Sequence, residues 1–273
     1  MNYFFAATEL HISISADPLF HIGGFPVTNA LLTGILGTSI AALMLWFVAN
    51  RVKRGKYNRF VGLIQWMFEG LLKQINDVVP DKQIARKITP LAVTIFFVVL
   101  INYWLSVIPG LDSIKWNGVP VLRSPAADLN FTLGLALITV VTVQIYAIKH
   151  LGVFKNAGRY LRNPFKDPTG AFEGFLELIG EVSRGTALAL RLFGNAFAGE
   201  ALLVVIAILT SYFASVVLPF FLAFELFIGF IQAYVFFILT LIFTALAVSH
   251  HGPDDSAHSP AVPTKKDKAV AKG

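Results

Sequence analysis

Cysteine is absent from the 273 residues, and charged residues are scarce. Without cysteine the chain can form neither disulfide bonds nor thiolate metal sites. The lack of cysteine does not indicate whether the protein works in an oxidising or a reducing compartment. Only 14% of the residues are charged, whereas 56% are hydrophobic and Phe alone occurs 25 times. Because a soluble domain ordinarily contains about 25% charged residues, the shortage of charge indicates a protein whose solvent is mostly the lipid bilayer.

The basic residues are clustered rather than spread. Five lie within residues 51–59, five more within 149–166, and four lysines follow from Lys265. Each cluster flanks an apolar run, as is typical of loops that set the orientation of a membrane protein. The net charge of +6 therefore indicates contact with membrane lipid and does not point to nucleic acid as a partner. The start of the chain lacks a basic segment and carries Glu9 and Asp17, so it is not expected to be a cleaved signal peptide.

Apolar runs long enough for a membrane-crossing helix, about 20 residues, occur five times. Five crossings place every basic cluster in the cytoplasm, with the N-terminus outside and the C-terminus inside, whereas four or six would leave one cluster on the wrong side. We predict one all-α membrane domain over residues 1–248, and a flexible cytoplasmic tail over 249–273. The predicted spans are about 27–50, 91–108, 129–148, 171–213 and 218–248.

The segment of about 60–79 has a different pattern. Its apolar residues recur every three or four positions, which indicates an amphipathic helix with one apolar stripe. Such a helix is expected to lie at the membrane interface. The stripe consists of Phe60, Ile64, Met67, Leu71, Ile75 and Val78.

The fourth span is too long and too charged for a simple crossing. As one helix, the stretch 173–210 measures about 57 Å, against a hydrocarbon core of about 30 Å. We expect a strongly tilted helix, in preference to a broken one or one that leaves the core. Glu177, Arg184 and Arg191 are spaced by seven residues, and Asn195 follows by four, so their side chains share a face.

Arginine in this position is informative because guanidinium cannot lose its proton and costs about 2.5–3.5 kcal/mol near the bilayer centre. Arg184 can either extend to the cytoplasmic interface or take part in function. Arg191 lies deeper, with apolar residues on both sides, and we expect a functional role for it.

The fifth span supplies polar partners. If the last two spans form an antiparallel hairpin that turns near residues 211–213, Arg191 lies level with Gln232, and Glu200 lies level with Glu225. Two carboxylates at one depth do not readily ionise together and titrate as a unit. Such a pair can carry a proton, although either carboxylate could instead reach a headgroup or a lysine.

The third span begins with the sequence SPAADLN. Ser124 as N-cap with Pro125 in the first turn is a favourable helix start. Asp128 then has two open interpretations: it complements the helix dipole, or it lies at the outer mouth of a pathway.

Other classes of site lack their signatures. The six histidines show no HExxH spacing, no Gly-rich loop ends in GK[ST], and we expect no metal, cofactor or nucleotide site. A secondary transporter would contain an inverted repeat with paired broken helices, which we do not find. A purely structural scaffold would leave the charged face of the fourth span unexplained.

The block RLFGNAFAGE at residues 191–200 resembles the signature of the a-subunit family of bacterial F-type ATP synthases. The similarity extends over nearly the whole chain. It includes PLAVTIF at 90–96, ADLN at 127–130, NPF at 163–165 and IQA at 231–233. The resemblance implies a non-catalytic stator subunit of the bacterial inner membrane, with the c-ring and the peripheral-stalk b subunits as partners and protons as the transported species. A sodium-ion version remains the alternative.

The resemblance also implies roles for individual residues. Arg191 would face the carboxylates of the rotating ring, between two offset half-channels. Some family members have histidine where this chain has Glu225, so the pH range of their relay does not carry over. By the same resemblance, Asn195, Glu200, Glu225 and Gln232 match the outer half-channel, and Glu177, Ser183 and Arg184 match the cytoplasmic side.

Overall fold

The structure is a computed structural model that describes residues 16–79, 81–108, 114–116, 119–160, 168–210 and 213–249. Helices dominate this part of the chain, and two short β-hairpins accompany them. In chain order the elements are β1 Pro18–Ile22, β2 Phe25–Thr28, α1 Asn29–Lys53, α2 Arg59–Val78, α3 Lys82–Ser106, β3 Lys115–Trp116, β4 Val119–Pro120, α4 Leu129–Leu151, α5 Val153–Tyr160, α6 Pro168–Thr210 and α7 Ala214–Ser249.

Five of these helices, α1, α3, α4, α6 and α7, are long and apolar enough to cross a membrane. The predicted all-α membrane protein with five crossings is thereby confirmed. Helix α3 begins earlier than the predicted span because the carboxylate of Asp81 accepts a hydrogen bond of 2.7 Å from the backbone N–H of Gln83, which caps the first turn. Pro90 lies inside this helix and does not end it.

Helix α2 matches the predicted amphipathic segment in its bounds. Ile64, Leu71 and Ile75 of the predicted stripe are buried, together with Val61, whereas Phe60 is exposed. The buried side packs mainly against α3 and α1. Whether this helix lies at the membrane interface stays a prediction.

The hairpins were not predicted, and they define one end of the molecule, called here the hairpin end. Asn29 at the start of α1 donates a hydrogen bond to the carbonyl of Pro120, and Thr33 accepts one from the backbone N–H of Arg123. At the opposite end, the hydroxyl of Tyr146 near the end of α4 donates to the carbonyl of Lys87 near the start of α3. We call this opposite end, where α1 and α4 finish in basic residues, the basic end.

The start of α4 differs from the prediction. Its N-cap is Asp128, whose carboxylate accepts a hydrogen bond of 2.9 Å from the backbone N–H of Asn130. Ser124 accepts from the N–H of Ala127 and stabilises the preceding turn instead. A carboxylate satisfies free N–H groups and the helix dipole together, so the first of the two interpretations of Asp128 describes its contacts.

Helices α6 and α7 form the predicted antiparallel hairpin. Helix α6 runs unbroken through 43 residues, about 64 Å at 1.5 Å per residue, so the broken alternative is wrong. Its tilt in a bilayer stays a prediction. Helix α7 packs most extensively on α3, where edge-to-face contacts join Phe96 of α3 to Phe230 and Phe237 of α7. The predicted flexible tail beyond residue 249, the N-terminal residues 1–15 and the NPF motif lie outside the described residues.

Candidate functional site

A buried carboxylate lies between α6 and α7, near the hairpin end of the molecule. Glu225 on α7 is only 4% exposed, and its Oε1 accepts a hydrogen bond of 2.7 Å from the hydroxyl of Tyr103 on α3. Tyr103 is itself fully buried, and its ring packs directly on Gly229 of α7. The hydroxyl therefore reaches the carboxylate from a fixed ring, which limits the conformations of both groups.

Glycine makes room for this carboxylate. The side chain of Glu225 packs on Gly199 of α6 so closely that a Cβ at position 199 would overlap it. Glu200, the next residue along α6, is half-buried, and the contact of Gly199 with Glu225 places it at the level of Glu225 in the helix pair. Glu200 and Glu225 thus lie at about one level along the helix pair, close to the register that the hairpin argument predicts.

The second predicted pairing differs in detail. Gln232 accepts a hydrogen bond of 3.0 Å from Asn195, not from Arg191. The antiparallel register places Arg191 opposite Phe236, because Asn195 lies beside Gln232 and, further along, Arg184 stacks over the ring of Phe243 at 5.6 Å. The predicted depth of Arg191 relative to Gln232 was correct to about one helical turn. Which side chain contacts Gln232 also depends on the direction in which each side chain points from α6.

Arg191 points away from the helical bundle. It is exposed, whereas its neighbour Leu192 is fully buried, since successive side chains on a helix turn by about 100°. Within the described residues its guanidinium has no hydrogen-bond or ion-pair partner. A permanent cation on the outer face of a membrane helix requires a partner of opposite charge or polar groups from another molecule.

An apolar layer lies behind Arg191. Leu188 and Leu192 of α6 and Phe236 and Phe237 of α7 are at most 1% exposed. They occupy the level of Arg191 in the α6–α7 register. This layer separates the Glu225 site from the polar groups nearer the basic end.

The polar groups nearer the basic end lie around a second site, a cavity of about 70 Å³ between α4, α6 and α7. Glu177 and Arg184, both predicted, lie on its wall, whereas Ser183 is exposed and not part of the wall. The lining residues are Val140, Val143, Glu177, Glu181, Arg184, Phe243, Leu246 and Ala247.

Glu181 is the residue here that the sequence argument missed. Its Oε1 accepts a hydrogen bond from Gln144 of α4, and its Oε2 accepts one from the hydroxyl of Tyr160 on α5. Gln144 also donates to that hydroxyl at 3.0 Å, and Asn156 of α5 donates to Gln144 at 3.3 Å. The available signal was the spacing of four residues between Glu177 and Glu181, which places both on one helical face.

The comparison with known proteins decides the family. The family model described as "ATP synthase A chain" matches residues 31–245. This chain belongs to the ATP synthase A chain family. It is 33% identical over 226 residues to ATP synthase subunit a of Mycobacterium ulcerans, covering 80% of this chain and 88% of that protein.

More distant members agree. The chain is 29% identical to ATP synthase subunit a of Acidothermus cellulolyticus over 84% of this chain and 79% of that protein. It is 27% identical to the subunit a of Acinetobacter baumannii over 78% and 79% of the two chains. Membership of the ATP synthase A chain family supports a stator role in the membrane (Fo) sector and association with other Fo subunits.

Proposed function

We propose that this chain translocates protons between two offset half-channels and a rotating c-ring, and so couples proton flow to ATP synthesis. The observation that carries the proposal is the position of Arg191. Its cation lies on the outer face of α6, with a buried apolar layer behind it and a carboxylate site on either side along the helix.

The Glu225 site supports an outer half-channel. Glu225, Glu200 and the Asn195–Gln232 pair line the hairpin-end half of α6 and α7. The side-chain Nε2 of Gln232 is buried with no hydrogen-bond acceptor among the described residues, and such a donor is normally satisfied by water. Asp128 caps α4 and is 7% exposed. A role at the outer mouth of the half-channel would require the same carboxylate to cap the helix and to exchange protons.

The face around Arg191 fits a partner helix. Small residues allow helix backbones to approach closely in a membrane, and several flank the arginine on the exposed side of α6. An arriving ring carboxylate would be held ionised by the nearby guanidinium, while the same cation repels a proton that would otherwise cross directly. The exposed residues of this face are Ala187, Leu190, Arg191, Gly194, Asn195 and Ala198.

The second half-channel is assigned to the cavity at the basic end. Glu177 and Arg184 lie on its wall, and the resemblance to the family adds Ser183. With the basic loops in the cytoplasm, protons enter at the hairpin end, ride the ring and leave here. The proposal also includes association with the peripheral-stalk b subunits, location in the bacterial inner membrane, and an N-terminus on the outer side of that membrane.

Two alternatives give different results. In a sodium-ion version the ring would hold the ion, and this chain would be largely the same. A secondary transporter would bind a substrate at Arg191 and would show substrate-dependent stabilisation when purified alone, whereas the proposed subunit should co-purify with a small apolar multicopy subunit.

The test is ion uptake by reconstituted complex, driven by ATP and measured with proton-sensitive and sodium-sensitive dyes in parallel. We expect proton uptake that is independent of sodium. Arg191→Ala should reduce coupled ATP synthesis to background while the complex still assembles. Normal ATP-driven proton pumping by Arg191→Ala would contradict the proposal.

A further inference from the structure

We propose that Glu181 is a proton-transferring carboxylate of the basic-end half-channel, and that Tyr160 on α5 is its positioning residue. The proposal rests on the function proposed above and adds a site to it. Proton transfer requires a group within hydrogen-bond reach of water or another carrier. Glu181 meets this condition because it lies on the wall of the cavity between α4, α6 and α7.

The location along α6 favours a relay. Glu181 follows Glu177 by one helical turn, so the two carboxylates are neighbours on one face, and both line the cavity. Glu181 is the deeper of the two, about 15 Å from Arg191 along the helix axis. A proton leaving the ring near Arg191 would therefore meet Glu181 before Glu177.

The hydrogen bonds fix the position of this carboxylate on the cavity wall. Each of its oxygens takes one donor, Gln144 on one side and Tyr160 on the other. The Tyr160 hydroxyl comes from α5, a helix outside the five spans, so this short helix fixes the carboxylate from the side.

The cluster also has unmet hydrogen-bonding capacity. Asn156 is 6% exposed, and its Oδ1 has no donor among the described residues. Buried polar atoms of this kind are commonly satisfied by ordered water. A hydrated cluster beside the cavity provides the chain of water that a proton would follow.

The step balances as a simple proton transfer. A hydronium ion in the cavity gives its proton to an oxygen of Glu181, forming one O–H bond and breaking another, and water is left. The protonated Glu181 then returns the proton to water on the side of Glu177, which restores the carboxylate. No electrons are exchanged, and no other reactant is required.

The first experiment compares Glu181→Gln with Glu181→Asp in the whole complex in inverted membrane vesicles, measuring ATP-driven proton pumping. Glutamine keeps the size and an acceptor oxygen but cannot carry the proton, so we expect a loss of at least about tenfold. Aspartate keeps the acid on a shorter arm and should lose less than about threefold, with Tyr160→Phe in between. A merely structural role would give the reverse order, because glutamine preserves the shape.

Glu173→Gln is the matched control, since Glu173 is an exposed carboxylate on the same helix that does not line the cavity. It should pump normally. Normal pumping by Glu181→Gln, or slower pumping by Glu181→Asp than by Glu181→Gln, would overturn the proposal. Arg191→Ala, measured alongside, separates a failure of this proposal from a failure of the proposed function. If Arg191→Ala alone abolishes pumping, the proposed function stands and only the role of Glu181 fails.

A second experiment does not depend on activity. Because the chain contains no cysteine, Glu181→Cys introduces the single thiol of this subunit. In assembled complex, a charged, membrane-impermeant methanethiosulfonate added from the cytoplasmic side should label it, because such reagents react in water. Ile179→Cys, at an exposed apolar position of the same helix, should react far more slowly. Equal labelling rates would remove Glu181 from a water-filled route.

Discussion

The two carboxylate sites lie at similar distances from Arg191 along α6, about 14 Å for Glu200 and about 15 Å for Glu181, yet they are built differently. At the hairpin end Glu225 is packed against a glycine and held by a buried tyrosine. At the basic end Glu181 lies on the wall of a cavity of about 70 Å³. We infer that packing controls the first site, whereas access to water controls the second.

The largest effect in this comparison should come from removing the buried acid. Glu225→Gln can still accept a hydrogen bond from Tyr103 but cannot hold the transferred proton, so we expect ATP-driven proton pumping to fall by at least about tenfold. Glu200→Asp retains an acid and should fall by less than about threefold. Pumping rates of assembled complex in inverted vesicles measure both.

Near-normal rates in both variants would remove the carboxylate pair from the pathway. A loss in Glu200→Asp as large as that in Glu225→Gln would instead show that the reach of the half-buried acid is as important as the chemistry of the buried one.

A smaller effect should follow from changing the packing without touching an acid. Gly199→Ala places a methyl group where the Glu225 carboxylate lies, so the side chain must leave its position beside Tyr103. We expect pumping to fall by about fivefold, because the displaced carboxylate loses its alignment with Tyr103; a barrier higher by about 1 kcal/mol corresponds to that factor. The measurement is pumping per assembled complex, with assembly checked by co-purification.

Gly134→Ala on α4 is the control, because a Cβ there meets no atom within 4 Å. Both substitutions raise helix propensity equally. If Gly134→Ala impairs pumping as much as Gly199→Ala, close packing against Glu225 is not what limits the site.

The sequence was sufficient for features that depend on spacing along one chain. The five spans, the α6–α7 hairpin and the common depth of Glu200 and Glu225 follow from run lengths, loop charges and antiparallel register. These quantities need no knowledge of how helices are rotated about their own axes. Arg191 was singled out for the same reason, because its isolation within an apolar run is visible in the sequence.

Contacts across three or more helices were not predictable in this way. Tyr103 lies in α3, in an apolar span, and only packing brings its hydroxyl to α7. Beyond its spacing of four residues from Glu177, Glu181 carries no signal in the sequence until α4 and α5 supply Gln144 and Tyr160. The pairing of Gln232 with Asn195 in place of Arg191 likewise depends on rotation of α6, which depth cannot give.

The smallest effect concerns the hydroxyl of Tyr103. Tyr103→Phe keeps the ring that packs on Gly229 and removes only the hydrogen bond to Glu225. A hydrogen bond of this kind contributes about 0.5–1.5 kcal/mol, so we expect pumping to fall by about threefold. Tyr234→Phe is a suitable control, since Tyr234 makes no hydrogen bond to a carboxylate among the described residues. If Tyr103→Phe pumps normally while Gly199→Ala does not, steric confinement alone positions Glu225; if Tyr103→Phe loses as much as Glu225→Gln, the hydroxyl is itself part of the proton path.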